Sequence, residues 1–268
     1  MRLRFLLLGS LIGMSACGSF SADNASPKAS QCPDESTKGS LVILAASSMA
    51  PVFADTEQRF LKDHPCVTNV SFSYGSSATL AAQIVNGSPA DVFISASEKT
   101  MNPVKDADKS LSVYNFAKNV GEIMVNTNSK YDNQITGIAS LTNAVNARIK
   151  VGLCVTTAPC GALADSILEK AGISRQAIAD TESPSVEDLV SKIEMGELDA
   201  GIVFHSDCVS AQIQKSYQCI TIPLDMNATT SYYVAALNSR AISEQFASFI
   251  SSPSFIGTLQ SKFGFLAP

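Results

Sequence analysis

Short apolar runs alternate with helix-period patterns from residue 41 onward. Residues 41–44 are four consecutive apolar positions, as a buried strand requires, and the small residues Ala45, Ala46, Ser47 and Ser48 lead from them into a helix pattern carried by Val52, Phe53, Phe60 and Leu61. Ser48 stands where a helix N-cap belongs. The grammar then repeats. Residues 67–74 alternate like a strand, Gly75, Ser76 and Ser77 turn the chain, and 79–85 keep helix spacing until Asn86 and Gly87 end it. Residues 90–95 read as a third strand. Further strands are expected at 120–125, 149–154, 200–204, 217–222 and 231–237. Helices are expected to open at Leu141 and Ser185 and to cover 162–171, 242–250 and 255–263. This alternation predicts an α/β fold of mainly parallel sheets flanked by helices. Because the alternation occurs twice, two lobes are more economical than one sheet of so many strands.

The first residues follow another rule. Arg2 and Arg4 precede an apolar run over 5–12, and Gly13, Met14, Ser15, Ala16 and Cys17 come next. Charged, apolar and small-residue zones in that order make an export signal. The run is shorter than the roughly 20 apolar residues that a bilayer span needs. Small residues directly before a cysteine resemble a bacterial lipobox, with Met14 in place of the more usual Leu. Cys17 is therefore the expected lipidation site, and the mature chain is expected on the extracytoplasmic face of the cell membrane. Residues 18–39 are rich in Ser, Ala, Asn, Pro and Lys and read as a flexible tether. The expected layout is signal peptide 1–17, tether 18–39, a first lobe from 40–121 and 232–268, and a second lobe from 122–231.

Export changes the reading of the cysteines. Setting Cys17 aside, the seven cysteines leave six in an oxidising compartment, so three disulfides are expected. Fifteen connectivities are open to six cysteines. Proximity favours Cys154 with Cys160 and Cys208 with Cys219, which leaves Cys32 with Cys66. The spacings match no zinc pattern and only two histidines exist, so a metal site is not expected. A net charge of −5 with scattered lysines and arginines excludes nucleic acid as a partner. Hydrophobic residues at 46% of 268 are enough for a substantial core, and a monomer is expected.

Four turns lead from a strand into a helix whose start offers small or hydroxyl residues: Ser47 and Ser48, Ser76 and Ser77, Pro159 to Gly161, and Ser185 and Val186. A helix start exposes unpaired N–H groups and the positive end of the helix dipole, so it can hold part of an anion without a cation. Each serine taken alone is also explained as an ordinary N-cap. Asp91 either sets a cleft edge or caps the loop before the 92–94 strand. No Gly-x-Ser-x-Gly elbow surrounds Ser48 or Ser77, and His205, Ser206 and Asp207 are too close in sequence to face one another as a triad, so a hydrolase is not expected. A ferric-iron site would need converging carboxylates and tyrosines, which these turns lack.

In order along the chain, Ala45-Ala46-Ser47-Ser48, Gly75-Ser76-Ser77-Ala78-Thr79-Leu80-Ala81, the 87–96 segment with Pro89-Ala90-Asp91-Val92-Phe93, and Asp199-Ala200-Gly201-Ile202-Val203-Phe204 resemble the bacterial molybdate-binding proteins of ABC importers. The likeness runs from about 41 to 268, and 151–161 with Cys154 and Cys160 resembles the actinobacterial branch. The resemblance implies a two-lobed periplasmic-binding-protein fold with the ligand cleft between the lobes. It implies molybdate or tungstate as ligand, no cofactor, no enzymatic activity, and an ABC importer permease as partner. It also implies hydroxyl and backbone donors from Ser48 and Ser77, and backbone N–H donors from Cys160 and Val186. Phe204 falls where many members carry a ligand-contacting tyrosine, and Phe has no hydroxyl to donate; Tyr232, Tyr233 or His205 are the candidates to replace it. Sulfate, phosphate or an organic anion is the alternative ligand, although a carboxylate invites an Arg clamp that the four turns do not contain. Closure is expected about two crossing segments near 119–124 and 224–234.

Overall fold

A computed structural model describes residues 32, 34–143, 149–211 and 217–268. The expected signal peptide, Cys17 and most of the expected tether lie outside the described residues. Residues 34–268 form one compact unit, which carries the fold. No helix among the described residues is long and apolar enough to cross a membrane.

Nine strands are found among the described residues: β1 Gly39–Ala46, β2 Val67–Gly75, β3 Val92–Ser95, β4 Val113–Asn126, β5 Val151–Cys154, β6 Thr181–Ser183, β7 Ala200–Phe204, β8 Tyr217–Thr221 and β9 Thr229–Ala236. The longer helices are α1 Ala50–Asp63, α2 Ser77–Val85, α3 Glu98–Ala107, α4 Pro159–Lys170, α5 Val186–Glu194, α6 His205–Ala211, α7 Ala241–Ile250 and α8 Pro253–Phe263. The strands run in the order β2-β1-β3-β9-β4-β7-β5-β6, with β8 also paired to β4. β1 lies parallel to β2 and β3, and β5 parallel to β6 and β7. The central strands β4 and β9 pair only antiparallel, so the α/β fold is built on mixed sheets rather than on mainly parallel ones. The antiparallel share arises because β4 and β9 are long strands that return across the middle of the molecule, where no helix crossover is needed.

Two large hydrophobic cores form on either side of that middle. One gathers Leu41, Ile43, Phe53, Phe60, Phe116, Phe246 and Phe255 from early and late parts of the chain. The other gathers Ile123, Leu153, Ile167, Leu189, Ile202 and Phe204 from the middle part. Each buried aromatic or branched side chain contributes about 1.5–3 kcal/mol, so each core holds its own sheet and helices together.

β4 serves both sheets. Val113 to Val120 pair with β9, and Gly121 to Val125 pair with β7. Gly121 marks the change. Asn227 accepts from its N–H at 2.9 Å and donates to its carbonyl at 2.9 Å. A β-carbon on Gly121 would stand 2.4 Å from Ile167 Cδ1, so a larger residue would force the tip of that side chain to shift. Both segments expected to cross between the lobes contribute to this junction.

β4 begins seven residues before the expected strand because its first half is partly exposed and carries polar residues, which hide it from a search for apolar runs. α3 was not anticipated. Pro103 lies inside it and reads as a breaker, yet the helix is capped by Ser97, whose side chain accepts from Thr100 N–H. α4 starts three residues before the expected 162 because Pro159 takes an early position where its missing N–H costs nothing.

Candidate functional site

The expected turns meet at one gap. It is lined by Ala46, Ser47 and Ser48 at the end of β1, Gly75 to Ser77 at the end of β2, Ala96 after β3, Ala158 to Cys160 before and in α4, Ser185 and Val186 at the start of α5, and Phe204 at the end of β7. Its empty space is about 210 Å³ with the mouth included. All five positions expected to contact a ligand, Ser48, Ser77, Cys160, Val186 and Phe204, line it. Among the described residues, no lysine, arginine or histidine lines it.

Each wall has a local cause. Ser185 caps α5 by accepting from Asp188 N–H, and helix geometry leaves Val186, the first helical residue, with no carbonyl four residues back to bond. The start of α4 is tied to β5 by the Cys154–Cys160 disulfide, whose Cα atoms are 5.7 Å apart. Gly161 lets the helix come down onto the strand end: a β-carbon there would lie 1.9 Å from the Val155 carbonyl oxygen. Arg175 grips the same turn from outside, donating to Cys154 O at 2.9 Å and Gly161 O at 3.3 Å while pairing with Asp165 at 2.7 Å. This clamp gave no signal in the sequence, since Arg175 follows α4 by a loop.

The two serines are not ordinary caps. Ser77 is 1% exposed, and its Oγ accepts from Ala96 N–H at 3.0 Å, which leaves its proton free to point elsewhere. Ser48 lies in a short 3-10 turn, Ser47–Met49, ahead of α1, whose N-cap position is Met49. Instead of capping, the Ser48 hydroxyl meets the Tyr232 hydroxyl at 2.8 Å. Phe204 is buried at 2% exposure, and its N–H donates to the Asp207 carboxylate at 2.9 Å. Burial pushes Asp207 up to about 7, partly offset by that bond. Asp207 lines a neighbouring cavity that shares Ser47 and Val186 with the gap.

His205, Ser206 and Asp207 part company. His205 Nδ1 pairs with Glu122 at 3.0 Å, Ser206 Oγ accepts from Asn119, and Asp207 serves Phe204 N–H. No nucleophile–base–acid line exists among them. Asp91 binds Val42 N–H, Asn238 and Arg240, which makes it a structural tie between β1 and the loop after β9 rather than part of the gap. A second disulfide joins Cys208 to Cys219. Cys32 and Cys66 are each disulfide-bonded.

Two sheets joined at the shared strand β4, with helix starts from both cores opening on one gap that no described cationic side chain lines, have the periplasmic-binding-protein fold. The chain belongs to the family of bacterial extracellular solute-binding proteins, whose model matches residues 41–266. It is 30% identical over 244 residues to the molybdate-binding protein ModA of Mycobacterium tuberculosis, covering 90% of this chain and 88% of that one. Among solved structures, the periplasmic molybdate-binding protein of Azotobacter vinelandii superposes with a TM-score of 0.71 at 21% identity, covering 85% of this chain and 99% of that one. The sulfate-binding protein SubI of M. tuberculosis superposes with a TM-score of 0.69 at 17% identity, covering 85% and 86%.

Proposed function

We propose that this chain is the extracytoplasmic binding protein of an ABC importer and takes up molybdate or tungstate, held in the gap by uncharged donors. Hydroxyls of Ser48 and Ser77 and backbone N–H groups at Ser48, Ser77, Cys160 and Val186 hold the oxyanion. Phe204 closes the cage without donating. The observation that carries this reading is a small gap walled by four strand-to-helix turns and free of cationic side chains among the described residues. Such a cage suits a dianion through converging dipoles. It also selects: fixed donors measure the spacing of oxygens, and a protonated anion presents a hydrogen where only acceptors are served.

The lobes in this reading are 40–121 with 232–268 and 122–231, closing as a hinge about the β4–β9 junction. Cys17 carries a lipid that anchors the mature protein outside the membrane, where as a monomer it delivers its ion to the permease. The relatives bearing molybdate-binding names support the ligand and a binding role rather than catalysis. The likeness to a sulfate-binding fold keeps sulfate in the test panel. Calorimetry of the purified protein against molybdate, tungstate, sulfate and phosphate tests the proposal. Tight binding of the first two with sulfate at least about a hundredfold weaker, a gap of about 2.7 kcal/mol, is the expected result. Equal affinity for all four would refute the ligand assignment.

A further inference from the structure

Phe204 offers the gap an aromatic ring and no hydroxyl. A hydroxyl stands behind Ser48 instead. Tyr232, on β9, is 0% exposed and does not line the gap, yet its Oη is 2.8 Å from Ser48 Oγ across 184 residues of sequence. Its ring is held edge-on by Phe204 at 6.1 Å, Phe116 at 6.2 Å and Phe265 at 5.2 Å, so the hydroxyl cannot swing to another partner.

The anion decides the order of the protons. By geometry either hydroxyl of the Ser48–Tyr232 pair can donate. A dianion only accepts, so a Ser48 proton drawn toward it leaves Ser48 Oγ to accept from the phenol, the stronger acid of the two hydroxyls. Burial, together with the nearby Asp207, raises the phenol's pKa far enough that this proton stays in place at neutral pH. With a lone pair engaged from behind, Ser48 directs its own proton forward into the gap.

We infer that Tyr232 is a positioning residue of the anion site, holding Ser48 as a donor toward the bound anion and so supplying through Ser48 the hydroxyl that Phe204 lacks. This rests on the anion-binding reading proposed above. The relay runs Tyr232 to Ser48 to anion, each group donating to the next.

A double-mutant cycle tests it. Affinities for molybdate are measured by calorimetry for the wild type, Y232F, S48A and Y232F/S48A, with thermal unfolding of each ion-free protein. The expected result is about tenfold weaker binding for Y232F, at least as large a loss for S48A, and a double variant within about twofold of S48A, since a relay has nothing to act through once Ser48 is gone. Wild-type affinity in Y232F, or losses that multiply in the double variant, would overturn the relay while leaving the anion site intact. A wild type that binds none of molybdate, tungstate or sulfate would instead remove the anion reading itself. If Y232F does not fold, 3,5-difluorotyrosine at 232 keeps the shape and donates more strongly. Binding tighter by about two- to threefold at pH 6 is then expected, and unchanged affinity overturns the relay.

Discussion

Replacing Ser77 by alanine separates what this residue does for the fold from what it does for the ligand. The hydroxyl is 1% exposed and accepts from Ala96 N–H at 3.0 Å, and Ala96 is itself 2% exposed. Removing the acceptor leaves a buried N–H without its partner, a cost of about 1–3 kcal/mol. That cost is paid in the ion-free and ion-bound protein alike, so it lowers stability and cancels from the affinity. The free hydroxyl proton is different, because in the proposed complex it meets the anion. Its loss costs about 1–3 kcal/mol of binding, roughly 5- to 150-fold in affinity. Urea unfolding of the ion-free protein reads the first effect and calorimetry with molybdate reads the second. S77A should lose on both counts. Reduced stability with unchanged affinity would show that Ser77 serves only to hold the strand end at Ala96, and the argument for a donor there would fail.

Other consequences follow from the same geometry. G161A forces a β-carbon to within 1.9 Å of the Val155 carbonyl oxygen, so α4 must lift from β5; molybdate binding should drop at least about tenfold and stability by about 1–3 kcal/mol, whereas wild-type behaviour would mean the turn is slack. Asp207 has a folded pKa of about 7 against an ordinary 3.8, so ionising it in the folded state is disfavoured, and its contribution makes the protein lose stability as pH rises from about 4 to 7. A dianion next door disfavours ionisation further. Affinity should therefore fall as pH rises through about 7 in the wild type, and D207N should flatten that profile while still accepting from Phe204 N–H; an unchanged profile would place the titrating group elsewhere. His205 is raised by its hydrogen bond to Glu122 against the opposing effect of burial. Its contribution to stability is present below pH 6.5 and is lost as pH rises through the higher folded value, so E122Q should destabilise the protein more at pH 5.5 than at pH 9. Equal losses at both pH values would contradict the pairing.

Local signals in the sequence located the gap's walls because those walls are built from short-range rules. Ser185 with Asp188 three residues on starts α5 where the capping pattern says it should, and the apolar run at 200–204 is β7 to the residue. Gly75 to Ser77 mark the turn between β2 and α2 for the same reason. What escaped depends on partners far away in sequence. Ser48 fits an N-cap locally, but a tyrosine 184 residues later claims its hydroxyl. Arg175 looks like a surface charge until the β5–α4 turn folds beneath it. The first half of β4 is polar because part of it is exposed, and its pairing with β9 near the C-terminus leaves no periodic trace in the local sequence. The balance of parallel and antiparallel pairing was lost with it, since β4 and β9 are the strands that carry the antiparallel share.

The central claim is that peptide dipoles and two hydroxyls, without a cation, hold the ion between the four turns. Molybdenum scatters X-rays anomalously, so a crystal grown with molybdate locates the metal atom directly. One strong anomalous peak is expected inside the gap, with oxygens within hydrogen-bonding distance of Ser48 and Ser77 Oγ and of the N–H groups of Cys160 and Val186. A peak beside lysine or arginine side chains at the surface, with the gap left to water, would contradict it.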